Sequence, residues 1–180
     1  MAYQLNNLNL LLVEDDIAMR ALIRDVLDAF DIGNIRVAND GTHAFKLLKQ
    51  FTADIIILDW VMEPMSGTEF LHKVRNAPDS PNPFVPAIIL TAYTDLDRVI
   101  RSRDAGITEF LAKPFTPVTL YSRIVAVIED QRAFVRSEDF FGPDRRRVTR
   151  PFPGSERRGD ASVIHVDASD TAAAETVWQI

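Results

Sequence analysis

Between residues 8 and 132, short apolar runs alternate with longer stretches in which apolar positions recur every three or four residues. The short runs Leu8–Val13, Ile35–Ala38, Ala53–Leu58, Ala87–Leu90 and Thr108–Ala112 predict strands. Ala53–Leu58 is almost unbroken Ile and Leu, the pattern of a strand buried on both faces. The longer stretches predict helices. Ile17–Phe30 sets Ile17, Ala21, Ile23, Leu27 and Phe30 toward one face, and Gly33 ends it. Thr42–Phe51 follows the turn Asn39-Asp40-Gly41. Gly67–Asn76 precedes a Pro-, Ser- and Asn-rich loop, Ala77–Pro83. Asp95–Ala105 closes on Gly106, and Thr116–Arg132 carries Pro117 in its first turn, where proline is tolerated.

Five strands alternating with five helices predict an α/β fold, a doubly wound parallel sheet with helices on both faces. Such sheets bind ligands in the crevice outside the carboxyl ends of their strands. That rule selects the residues just past each run: Glu14, Asp15 and Asp16; Asp59; Thr91; Lys113. After residue 132 the alternation fails. Phe140-Phe141-Gly142-Pro143 and Arg150-Pro151-Phe152-Pro153-Gly154 read as turns, Ser162–Val166 as one short strand and Ala172–Trp178 as one short helix. The expected division is a body of residues 1–132 and an Arg- and Pro-rich extension of residues 133–180, partly disordered or docked.

Composition narrows the class. Hydrophobic residues make up 47% of 180 residues, enough for a real core. The absence of cysteine excludes disulfides and thiolate metal sites. No apolar run reaches the roughly 18 residues of a membrane span, and Met1–Asn9 lacks the pattern of a signal peptide. A cytoplasmic protein without membrane attachment is expected. Residues 1–130 hold 12 Lys+Arg against 18 Asp+Glu, whereas residues 131–180 hold 8 of each, with every basic residue an Arg between Arg132 and Arg158. A pI near 5.0 argues against a nucleic-acid-binding body.

The strand-end residues suggest one chemistry. Acidic side chains after the first strand and after the third can converge, and like charges packed together call for a cation. Oxygen-only ligands in small number suit Mg²⁺ better than zinc. Asp59 can act as a nucleophile toward phosphorus and form an acyl phosphate. Such a transfer needs positioning and charge neutralisation above all. Thr91 can donate its hydroxyl to a phosphoryl oxygen, and Lys113 supplies a fixed positive charge. Each alone reads as an ordinary surface or turn residue; together, at the ends of different strands, they form a consistent phosphate pocket.

The stretches Leu11-Leu12-Val13-Glu14-Asp15-Asp16, Ile56-Ile57-Leu58-Asp59-Trp60, Met65-Ser66-Gly67, Leu90-Thr91-Ala92 and Phe110-Leu111-Ala112-Lys113-Pro114-Phe115 agree in order and spacing with one family. Over residues 8–130 the chain resembles the receiver domains of two-component response regulators. The resemblance implies a flavodoxin-like sheet of order 2-1-3-4-5. It implies that Asp59 is the phospho-acceptor and Asp15 a direct Mg²⁺ ligand, with Glu14 holding the metal, often through water, and Val61 giving its backbone carbonyl. Thr91 and Lys113 would contact the phosphoryl group. Thr91 and Phe110 would be the switch residues, and a cis Lys113–Pro114 bond would aim the lysine inward. Two departures stand out. Glu63 occupies the position where the family usually has proline, with Pro64 next, and Phe110 replaces a common tyrosine, leaving apolar packing alone to drive its rotation.

The resemblance further implies a sensor histidine kinase or histidine phosphotransfer protein as phosphate donor. The output partner would be a protein reading the face built from Asp95–Ala105, Thr108–Ala112 and Thr116–Arg132, and homodimerisation is compatible with it. Activity as an enzyme would extend only to self-phosphorylation from phosphodonors and autodephosphorylation. A phosphate-relay or phosphate-sink role is the alternative within this family. A haloacid-dehalogenase-like phosphatase would need a second Asp where Val61 stands. Arg145-Arg146-Arg147-Val148-Thr149-Arg150 superficially fits a cyclic-di-GMP-binding PilZ motif, but the 30 residues after Arg150 cannot hold the rest of that barrel. Nucleic-acid binding by the Arg-rich extension is a third reading, testable by its salt dependence.

Overall fold

A computed structural model describes residues 3–92, 105–129, 133–137, 140–144 and 162–164. Its centre is a five-stranded parallel sheet of order β2-β1-β3-β4-β5, formed by β1 (Asn9–Val13), β2 (Asn34–Ala38), β3 (Ile55–Asp59), β4 (Ala87–Thr91) and β5 (Glu109–Ala112). The strand order is the expected one. The described helices are α1 (Ile17–Ala29), α2 (Gly41–Leu48), α3 (Gly67–Asn76) and α4 (Pro117–Glu129). The expected helix Asp95–Ala105 falls, but for Ala105, outside the described residues.

Alternation along the strands divides the core in two. Leu11, Val13, Ile56, Leu58, Ala87 and Ile89 face Phe45, Phe70, Leu71 and Val74 of α2 and α3. Leu10, Leu12, Ile55, Ile57, Ile88 and Leu90 face Ile23 and Leu27 of α1 and Leu120 and Ile124 of α4. Burying both faces of β3 is the strongest local contribution: Ile55, Ile56, Ile57 and Leu58 are at most 2% exposed, and each contributes about 1.5–3 kcal/mol.

Local signals set the helix starts. Asp16 and Asp40 cap α1 and α2 by accepting the N–H groups of Met19 and His43, and Ser66 with Glu69 forms a capping box on α3. The buried face of α1 differs from the expected one. Ile17 is 74% exposed and Ala21 is exposed, while Ile23 and Leu27 are buried and Met19, Val26 and Phe30 pack beside them. At 3.6 residues per turn Ile17 and Ala21 lie on the side of the helix opposite Met19, Ile23, Val26 and Leu27, so they face away from the sheet. Nor is Gly33 the residue that turns left-handed after α1. That residue is Asp31, with φ 58°; a Cβ at Gly33 would instead collide with the carbonyl of Asn6 at 1.6 Å.

The extension contributes three strands: one where the sequence predicted a strand, near Ser162, one at Phe140–Pro143 where a turn was expected, and one at Phe134–Ser137 where neither was. Phe134–Ser137 (β6) and Phe140–Pro143 (β7) pair antiparallel, and Ser162–Ile164 (β8) joins β6 on its other side. Phe134 and Phe141 pack edge-on against Phe84 at ring separations of 5.2 and 5.4 Å. Beneath them lies Arg75, a fully buried guanidinium. It donates to the carbonyls of Gly106 (3.1 Å) and Pro83 (2.6 Å) and sits 5.3 Å from the Phe134 ring. β7 reaches the body through two glycines, since a Cβ on Gly142 would lie 2.6 Å from the Cα of Gly106. This contact lies at the amino ends of β4 and β5, away from the predicted crevice. Ala172–Trp178 and the Arg clusters of residues 145–150 and 157–158 lie outside the described residues.

Candidate functional site

The chain runs from β1 outward to β2 and then back across β1 to β3, so the two central strands part company at their carboxyl ends. Their register sets Val13 beside Leu58, which places Glu14 and Asp59 next to each other at the sheet edge. Asp59 and Thr91 are themselves the last residues of β3 and β4. Lys113 follows β5 directly, and its N–H donates to the carbonyl of Thr91 at 2.7 Å.

These strand ends bring three carboxylates together. One oxygen each of Glu14, Asp15 and Asp59 lie within 4.8 Å of one another. Lys113 reaches into the group, its Nζ 2.7 Å from Asp59 Oδ1 and 2.9 Å from Glu14 Oε2. The other oxygen of Asp59, Oδ2, accepts the N–H of Val61 at 3.1 Å. Glu14 is buried and Asp15 exposed, so the cluster opens to solvent on the Asp15 side.

The electrostatics of the cluster are asymmetric. Burial pushes the Glu14 carboxyl up, the charge of Asp59 adds to this, and the Lys113 hydrogen bond opposes it without reversing it. Burial pulls the Lys113 ammonium down, but its hydrogen bonds to Asp59 and Glu14 outweigh burial and leave it above the ordinary lysine range. One ammonium among three carboxylates leaves an excess of negative charge. Its donors are all oxygen, which suits a hard divalent cation.

Of the other residues singled out from the sequence, Thr91 is buried at the end of β4, beside this group in the sheet. Val61 directs its side chain outward, 54% exposed, with its backbone against Asp59. Phe110, on β5, pairs with Ile89 of β4 and is 37% exposed, an outward position. The Lys113–Pro114 peptide is cis, as the resemblance implied, and so is Glu63–Pro64. Gly67 closes the loop after Asp59: its N–H donates to Trp60, and a Cβ there would stand 2.1 Å from the carbonyl of Asp59. Two further residues shape the site: Asp16, one of the strand-end residues read from the sequence but outside the ligand set that the resemblance implies, and Arg20, which the sequence reading did not single out. Asp16 caps α1 and donates its N–H to Glu14 at 3.4 Å, and Arg20 donates to the carbonyls of Glu14 (2.7 Å) and Asp15 (3.2 Å). The N-cap spacing signals the first; nothing local in the sequence signals the second, because the bond runs backward from helix to loop.

Known proteins resemble this chain in sequence and in fold. The sequence profile of the response regulator receiver domain matches residues 10–135. The chemotaxis protein CheY of Pseudomonas aeruginosa is 31% identical over 122 residues, covering 68% of this chain and 97% of its own. CheY-3 of Vibrio cholerae is 29% identical over 123 residues, covering 68% and 93%. Among solved structures, the chemotaxis response regulator CheY4 of Vibrio cholerae superposes with a TM-score of 0.61 at 31% identity, over 67% of this chain and 98% of that one. The receiver domain of a histidine kinase from Syntrophus aciditrophicus superposes equally well, at 0.61 and 26% identity, over 67% and 89%. With its sheet order, its strand-end acids and this match over most of its length, the chain belongs to the response regulator receiver family.

Proposed function

We propose that the protein accepts a phosphoryl group on Asp59 from a phosphohistidine of a sensor kinase or phosphotransfer protein, with Mg²⁺ held by Glu14, Asp15, Asp59 and the carbonyl of Val61. The observation that carries this reading is the meeting of Asp59 with two further carboxylates and one lysine at the β1/β3 crevice. Bound Mg²⁺ would neutralise charge on the phosphoryl oxygens as the group is transferred. An oxygen of Asp59 attacks phosphorus in line, the phosphorus–nitrogen bond to the donor histidine breaks with its electron pair going to nitrogen, and the histidine, protonated on its other ring nitrogen, leaves as neutral imidazole. Lys113 turns from its carboxylate partners to a phosphoryl oxygen, and Thr91 donates its hydroxyl to another.

The donor must bring its histidine to an open crevice. Ile17 and Val118 are exposed apolar side chains at the starts of the helices that leave the same strand ends, and Leu22 lies exposed one turn further along α1, which suits a protein donor. The signal then passes by a two-state change in which phosphate favours Thr91 drawn toward it and Phe110 turned inward. A protein partner would read that change on the side of the sheet carrying β5 and α4. The body of residues 1–132 carries the chemistry, and the extension of residues 133–180 starts at the docked hairpin. No described helix is long and apolar enough to cross a membrane; the reading places the protein in the cytoplasm, beside the kinase domains that phosphorylate it.

Incubation with Mg²⁺ and a small phosphodonor, followed by intact mass, tests the proposal. One added phosphoryl group is expected on the wild type and none on Asp59→Asn. Equal phosphorylation of the two would refute the assignment of Asp59.

A further inference from the structure

The two acids contributed by the β1 end sit on a link of only three residues, Glu14 to Asp16, between strand and helix. A link this short carries its carboxylates wherever its peptide planes turn. The structure shows what holds those planes. Arg20, one turn into α1 and half-buried, folds back so that a single nitrogen, Nη1, donates to the carbonyl of Glu14 at 2.7 Å and to that of Asp15 at 3.2 Å. The backbone N–H of Arg20 meanwhile donates to the carbonyl of Asp16 at 2.9 Å, so this one residue holds all three carbonyls of the link.

Arg20 sits beside an acidic cluster, yet among the described residues it forms no ion pair with a carboxylate; the lysine inside the cluster makes those pairs. Its guanidinium is spent on backbone. We infer that Arg20 is a positioning residue for the divalent cation, holding Glu14 and Asp15 in converging geometry before the ion arrives. The inference rests on the reading of the cluster as a Mg²⁺ site. It adds a residue that touches neither the ion nor the phosphate.

Charge and geometry pull in opposite directions here, and that makes the inference decidable. As a cation near a cation site, Arg20 repels Mg²⁺, so on electrostatic grounds alone its removal should tighten binding. As a clamp, its removal should weaken binding, because residues that orient metal ligands typically contribute about 10–100-fold in affinity.

The test uses the full chain, wild type against Arg20→Met and Arg20→Gln, titrated with Mg²⁺ without phosphodonor. Calorimetry, or the fluorescence of Trp60 next to Asp59, follows binding. Arg20→Met is expected to bind about 10-fold more weakly or worse. Arg20→Gln, which keeps a donor but not the charge, is expected to fall between it and the wild type. In the metal-free protein, amide exchange at Asp15 and Asp16 should quicken in Arg20→Met. Phosphorylation of Asp59 should recover at saturating Mg²⁺, since the defect lies in assembling the site. Binding as tight as wild type or tighter in either variant would overturn the inference. If Arg20→Met does not fold, judged by its thermal melt, the glutamine variant decides by the same sign. Failure of the wild type itself to bind Mg²⁺ would overturn the underlying reading of the site.

Discussion

Replacing Lys113 with Met should separate the two tasks of this ammonium. In the structure it is the one cation inside the described acidic cluster, 2.7 Å from Asp59 and 2.9 Å from Glu14, with side-chain exposures of 15%, 12% and 2% for the three partners. Removing one member of a largely buried ion pair typically costs about 3–5 kcal/mol. The opening toward Asp15 admits water and lowers that figure, so a loss near 3 kcal/mol is expected without metal, or about 6–12 °C in melting temperature for a chain of this size. Metal binding should move the other way. An ion entering the cluster must take Glu14 and Asp59 from the lysine, and unit charges at 4 Å interact by about 4 kcal/mol at an effective dielectric of 20. If a third of one such interaction is forfeited when the ion enters, its removal as a competitor yields about tenfold tighter Mg²⁺. Phosphorylation should nevertheless slow by roughly 10²–10³, the cost of losing one fixed group that stabilises developing charge. Calorimetric Mg²⁺ titration, thermal melts with and without Mg²⁺, and intact-mass time courses read the three quantities separately. Weaker Mg²⁺ binding in a folded Lys113→Met protein would refute the idea that lysine and metal compete for the same oxygens.

Three more outcomes follow from the geometry. The raised Glu14 carboxyl means that the folded chain binds this proton more tightly than the unfolded one. Stability without metal should therefore fall as pH rises through the window just above the ordinary glutamate range, while the stabilisation by Mg²⁺, which needs the ionised form, grows across it. Melts with and without Mg²⁺ over that window check this, and a metal-induced shift independent of pH would contradict it. Gly67→Ala drives a Cβ toward the carbonyl of Asp59; a loss of about 1–3 kcal/mol is expected, with slower phosphorylation by intact mass, because the acceptor loop must move. Phe134→Ala opens the aromatic cap over Arg75 and should cost about 3 kcal/mol, limited by the docking free energy of the terminal hairpin, so amide exchange should rise in β6 and β7 and stay slow in β1 and β3. An effect no larger than that of Val163→Ala, at an exposed site, would show the hairpin undocked in solution.

The sequence by itself determined the body. Strand and helix periods and the unbroken apolar β3 are local, so five parallel strands alternating with helices follow from runs of a few residues, while their order came from the family resemblance. The residues of the candidate site could be chosen for the same reason: a parallel sheet collects strand ends on one edge, so Glu14, Asp15, Asp16, Asp59, Thr91 and Lys113 were selected before any distance was known. Only the tertiary structure decided what depends on partners remote in the chain. Helix α1 carries apolar residues on two sides, and the sheet decides that the side of Met19, Ile23, Val26 and Leu27 packs while Ile17 and Ala21 face away. Phe140-Phe141-Gly142-Pro143 reads as a turn until Gly142 meets Gly106 and Phe141 meets Phe84, because a strand's pairing partner and the surface that buries it are both non-local. Arg20 and Lys113 show the same limit from the side of charge. Both are basic residues near acids in an acidic chain, and three-dimensional geometry alone assigns one to carbonyls and the other to carboxylates.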